Sequence, residues 1–84
     1  MKKPLVTIYS RPGCHLCGEA KNAIQSADCE DEFVLEEVDI EKDPALLERY
    51  RFDIPVVQID GIMVFKYKVD AREFRRKLRR FKRT

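Results

Sequence analysis

Apolar residues alternate along this chain between short continuous runs and helical stripes, and that alternation predicts its elements. Leu5-Val6-Thr7-Ile8-Tyr9 is an apolar, β-branched and aromatic run closed by Ser10-Arg11-Pro12-Gly13, the pattern of a strand buried on both faces. Leu16, Ala20, Ala23, Ile24 and Ala27 then recur on one helical stripe, with Glu19, Lys21, Asn22, Gln25 and Ser26 off it. Phe33-Val34-Leu35-Glu36-Glu37-Val38-Asp39-Ile40 is a second strand, less apolar and therefore expected nearer a sheet edge.

Asp43-Pro44 reads as a helix start, since the carboxylate accepts from free N–H groups and proline at the first helical position forfeits no bond. That helix is short, running to Tyr50 or Arg51 with Leu46, Leu47 and Tyr50 inward. Ile54-Pro55-Val56-Val57-Gln58-Ile59, Asp60-Gly61 and Ile62-Met63-Val64-Phe65 form a hairpin signature, because Asp-Gly accommodates the positive φ angles of a type I′ turn. Asp70 and Glu73 resemble a capping box opening a last helix, whose apolar stripe is Ala71, Phe74, Leu78 and Phe81. The order β-α-β-α-β-β-α predicts an α/β fold with a mixed four-stranded sheet and helices on both faces, its first two strands parallel and its last two antiparallel.

Composition narrows the class. Residues 1–84 suffice for one domain and not two, and 44% hydrophobic with 38% charged residues suits a modest core under a solvated exterior. The apolar run after Met1-Lys2-Lys3-Pro4 is too short for a signal peptide or a membrane span, so the expected compartment is a reducing cytoplasm. Three cysteines there read as chemistry or small buried side chains rather than a disulfide framework. The net charge of +2 is unevenly spread: residues 28–43 carry a balance of −8 and residues 70–84 one of +6.

The chemistry-bearing motif is Cys14-His15-Leu16-Cys17, placed where the first strand gives way to the first helix. A sulfur at a helix N-terminus meets unpaired N–H groups and the positive end of the macrodipole, which favour a thiolate. Cys17 lies about one turn on, close enough to bridge to Cys14 but pointed inward. Cys14 is thus the expected attacking thiol and Cys17 the resolving one, through a mixed disulfide with the substrate. Arg11, and His15 when protonated, would add positive charge nearby.

The stretch Val6-Thr7-Ile8-Tyr9-Ser10-Arg11-Pro12-Gly13-Cys14-His15-Leu16-Cys17, Val38-Asp39-Ile40 before Asp43-Pro44, and Ile54-Pro55-Val56-Val57 before Asp60-Gly61 together resemble glutaredoxins and thioredoxins, most closely short bacterial glutaredoxin-like proteins. The resemblance implies a thioredoxin-like fold, thiol-disulfide oxidoreductase activity, and a cis bond between Ile54 and Pro55 beside Cys14, leaving the Ile54 backbone to pair with a substrate strand. It makes Arg11, His15, Ile54 and Pro55 candidate substrate-binding residues. Arg11 matches the basic residue that glutaredoxins place three before the nucleophile, a position suited to a glutathione carboxylate. Two departures stand out: His15-Leu16 lies between the cysteines, and Phe65-Lys66-Tyr67-Lys68 replaces the Gly-Gly pair and Asp with which glutaredoxins hold glutathione.

The expected partners are therefore a disulfide-bearing protein or small molecule, with glutathione as co-substrate or a thioredoxin-reductase-type donor returning electrons to a monomeric protein. No tightly bound cofactor is expected. A glutathione-dependent deglutathionylase using Cys14 alone is the alternative activity. Zinc is disfavoured because no second ligand pair accompanies Cys14 and Cys17, and Cys29, flanked by Asp28 and Glu30, is expected to have no role. The basic run Arg72, Arg75, Arg76, Lys77, Arg79, Arg80, Lys82 and Arg83 offers a binding-module alternative. A solvated helix face is the favoured reading there, because no stacking aromatics point to nucleic acid and one side is committed to the core.

Overall fold

The computed structural model describes residues 3–27 and 30–81. Within them, strands β1 (Leu5–Ser10), β2 (Val34–Asp39), β3 (Val56–Ile59) and β4 (Ile62–Lys66) form one sheet in the order β2-β1-β3-β4. β1 pairs parallel with β2 and antiparallel with β3, and β3 pairs antiparallel with β4, so the sheet is mixed as expected. β2 lies at an edge, in keeping with its polar composition. The hairpin turn places Asp60 at φ 51° and Gly61 at φ 84°, the two left-handed residues of a type I′ turn.

Helices α1 (His15–Ser26), α2 (Pro44–Tyr50) and α3 (Ala71–Phe81) cover both faces. Side chains alternate along a strand, so Val6, Ile8, Val57 and Ile59 point to one side, where they bury Ile24 and Ala27 of the α1 region and Phe74 and Leu78 of α3. Phe33, just ahead of β2 rather than within it, closes that core edge-to-face on Phe74 at 5.3 Å between ring centres. The intervening residues Tyr9 and Val56 face the other way, meeting Ile40, Leu46, Leu47 and Tyr50, with Tyr9 and Tyr50 stacked at 4.7 Å.

Two expectations about the helices are corrected. In α1 the buried residues are Cys17, Ala20 and Ile24, continued by Ala27, whereas Leu16 is 42% exposed. The inward arc is rotated by about one residue, and Leu16, in the first turn, falls on its rim. In α3 the Asp70 carboxylate accepts from the N–H groups of Arg72 (2.8 Å) and Glu73 (3.1 Å), but the Glu73 side chain pairs with Arg76 one turn on instead of completing a capping box.

The cationic face of α3 is only partly solvated in the way composition suggests. Arg75 Nε donates to the Ala27 carbonyl at 2.9 Å and its Nη2 donates to the same oxygen, while Lys77 Nζ donates to Val64 O at 2.9 Å. Arg72, Arg79 and Arg80 stand exposed, and Lys82 and Arg83 lie outside the described residues.

Candidate functional site

The site grows out of the C-terminal end of β1. After Ser10 the chain turns through Arg11-Pro12-Gly13, closed by Cys14 N–H to Arg11 O at 3.3 Å, and Gly13 takes φ 79°, a backbone that a side chain would strain. Cys14 is the N-cap of α1: its backbone is extended (φ −78°, ψ 114°) and its carbonyl accepts the first helical bond, from Gly18 N–H at 3.3 Å. An N-cap side chain normally offers an oxygen to the N–H two or three residues on. Here a sulfur occupies that place, and Cys14 Sγ accepts from Cys17 N–H at 3.3 Å.

The two-residue spacer of the motif thus has a geometric meaning. It sets Cys17 at the third helical position, so the amide serving the half-buried Cys14 sulfur belongs to the second cysteine. Cys17 itself is buried, 7% exposed, on the inner face of α1. Burial pushes its thiol up to about 12, and the hydrogen bond and charge of the Cys14 sulfur act in the same direction against the opposing influence of Arg11. Both cysteines are free thiols. One sulfur is reachable and served by the helix terminus; the other stays protonated at neutral pH behind it.

The Ile54–Pro55 peptide bond is cis, as the resemblance implied, though β3 begins only at Val56. Pro55 is fully buried. Register brings it to the site end of the sheet: Tyr9 of β1 pairs with Val56, so Ile54–Pro55 lies one step beyond that pair, where β1 runs out toward Cys14. The Pro55 carbonyl accepts from Tyr67 N–H at 2.8 Å, while the N–H and C=O of Ile54 have no hydrogen-bond partner among the described residues.

The other predicted residues are placed differently. Arg11 is turned toward the end of β2, in a 2.7 Å ion pair with Glu41, beside an open cleft of about 260 Å³ lined by Ser10, Pro12, Glu37 and Asp39. Its guanidinium is thereby engaged. His15, with its side chain 89% exposed, lies 3.5 Å from Glu19 on the outer face of α1. Cys29 lies outside the described residues. No group of three or more His, Cys, Asp or Glu side chains among the described residues is arranged to hold a metal ion.

Residues that the sequence reading passed over complete this end. Tyr67, at φ 70°, is the centre of a γ-turn closed by Lys68 N–H to Lys66 O at 2.8 Å, and its hydroxyl donates to Asp53 Oδ1 at 3.1 Å. Lys66 Nζ stands 3.4 Å from the same carboxylate oxygen. Asp53 and Tyr67 thus tie the loop before Pro55 to the end of β4. The local signal for this was an aromatic within the stretch Phe65-Lys66-Tyr67-Lys68 that stands where glutaredoxins carry a Gly-Gly pair and Asp; the partnership itself joins residues apart in sequence.

Comparison with known proteins shows the family and the fold. The model of the glutaredoxin-like domain family (DUF836) matches residues 5–79. A glutaredoxin-like protein of Dictyostelium discoideum is 37% identical over 71 residues, 77% of this chain; the match spans 66% of that protein, just short of two thirds of its length. A structural-genomics target protein from X. campestris superposes with TM-score 0.76 at 29% identity, covering 89% of this chain and 96% of its own. A thioredoxin from Halobacterium salinarum superposes with TM-score 0.71 at 12% identity, covering 99% of this chain and 78% of its own, a likeness of fold alone. No helix of the described residues is long and apolar enough to cross a membrane.

Proposed function

The chain belongs to the glutaredoxin-like domain family and has the thioredoxin-like fold, and on that footing we propose that it is a dithiol disulfide reductase in which Cys14 attacks and Cys17 resolves. The observation that carries the proposal is the Cys17 N–H to Cys14 Sγ hydrogen bond at the start of α1, with the Cys17 thiol buried behind it.

The Cys14 thiolate attacks one sulfur of a substrate disulfide, forming a Cys14–substrate disulfide and expelling the other sulfur as a thiolate, which takes up a proton. Cys17 then loses its proton and attacks Cys14 Sγ. A Cys14–Cys17 disulfide forms, the second substrate thiol leaves, and two electrons have passed from protein to substrate. Once Cys14 is in the mixed disulfide its sulfur carries no charge, so repulsion between two neighbouring thiolates no longer opposes loss of the Cys17 proton. An external thiol donor, glutathione or a reductase-linked dithiol, returns the electrons.

The engagement of Arg11 by Glu41, and the stretch Phe65-Lys66-Tyr67-Lys68 where glutaredoxins carry a Gly-Gly pair and Asp, favour this dithiol route over one resolved by bound glutathione. The test is single-turnover reduction of a model disulfide by the pre-reduced protein. Wild type is expected to release both substrate thiols, and Cys17→Ser to stop at the mixed disulfide. Full activity in Cys14→Ser would overturn the assignment.

A further inference from the structure

Seven large apolar side chains among the described residues are exposed, and they fall into two groups. Leu5, Val34, Ile62 and Met63 belong to the starts of β1, β2 and β4. Leu16, Phe52 and Tyr67 stand at the end that carries Cys14 and Pro55, and Phe52, at 77%, is the most exposed of all. The Phe52 ring is met by the neighbouring Arg51 guanidinium, 4.7 Å from its centre. A single exposed aromatic is ordinary on a protein surface, but this one precedes the Ile54–Pro55 bond on the loop that Asp53 and Tyr67 brace, at the end of the sheet where β1 runs out toward Cys14, and covering it would gain burial.

The partner is indicated by the backbone next to it. Two residues on, Ile54 presents an N–H and a C=O without partners, the pair of groups that an extended polypeptide satisfies and a small disulfide does not. The mount is already ordered: Asp53 N–H donates to Tyr50 O at 2.8 Å, the Asp53 carboxylate holds Tyr67, and Tyr67 N–H holds Pro55. Ordering of the loop is therefore not charged against binding.

Resting on the disulfide-exchange reading above, we propose that Phe52 is a specificity-determining residue, holding an apolar side chain that flanks the disulfide cysteine of an extended polypeptide whose backbone pairs with Ile54. The substrate class is then a polypeptide disulfide with an aliphatic or aromatic neighbour. Glutathione disulfide, which carries carboxylates and no apolar side chain, gains nothing from the ring.

The experiment measures second-order rate constants for the pre-reduced protein in single turnover on three substrates: 2-hydroxyethyl disulfide, a peptide mixed disulfide with leucine two residues from its cysteine, and the same peptide with serine there. Wild type is expected to prefer the leucine peptide, and Phe52→Ser to lose about tenfold on it alone, the value of partly burying one aromatic ring. Phe52→Leu should keep most of the preference. Equal wild-type rates on the two peptides, or an equal loss on all three substrates in Phe52→Ser, would overturn the role of Phe52 while leaving the redox reading intact. Failure of wild type to reduce any of the three would remove both.

Discussion

Helices α2 and α3 begin on aspartates, and α1 begins on a cysteine. Asp43 Oδ1 accepts from Ala45 N–H at 2.9 Å and Asp70 Oδ1 from two amides, strong charge-assisted caps. Cys14 offers a larger, weaker acceptor to one amide at 3.3 Å. The far end of the α1 segment shows the opposite treatment, since the Ala27 carbonyl receives two N–H groups from Arg75 of α3. Two helix starts and the α1 end are thus closed for stability, whereas the start of α1 keeps its amides turned toward a group that must change its bonding. A cap that is also a nucleophile cannot be as firmly satisfied as one that is only a cap.

Exchanging the sulfur for an oxygen tests that contrast most sharply. Cys14→Ser should lower disulfide reduction by on the order of a thousandfold or more, since the attacking atom is gone, yet leave the thermal midpoint unchanged or slightly raised because serine is a better N-cap. A marked fall in midpoint would mean that the cysteine is needed for folding, and the contrast would break.

The second thiol makes a pH-dependent prediction. The folded Cys17 thiol is raised from 9.0 to about 12, so the folded protein keeps a proton that the unfolded chain releases. Its contribution to stability is whole below pH 9 and is lost progressively as pH rises toward 12. Denaturant midpoints of the reduced protein should therefore fall across that window, less steeply in Cys17→Ala; parallel profiles would contradict the assigned burial.

At the closed end, Arg75→Ala leaves the Ala27 carbonyl without its guanidinium and should cost about 2 kcal/mol in chemical denaturation while leaving single-turnover reduction unchanged. The smallest expected effect is Asp70→Ala, about 1 kcal/mol from a lost cap, again without change in disulfide exchange. Loss of activity in either variant would show that the two kinds of helix end are coupled.

Much of the architecture was legible in local patterns because those patterns are governed by neighbouring residues. Alternation and β-branching marked the strands, Asp43-Pro44 and Asp70 marked helix starts, and Asp60-Gly61 marked a turn with two positive φ angles. The position of Cys14 at a strand-helix junction was equally local. Leu16 falls on the rim because a stripe of apolar residues specifies a helix face only to within about one residue.

Residue order alone therefore determined the succession of elements, the pairing of two thiols across one helical turn and the proline that precedes β3. Tertiary structure decided that Arg11 is claimed by Glu41, that Arg75 closes the α1 segment, and that Asp53 and Tyr67 brace the loop carrying Phe52 and Ile54. The physical reason is range. Dihedral preferences and capping act over three or four residues, whereas burial and charge pairing depend on segments that only the folded sheet brings together.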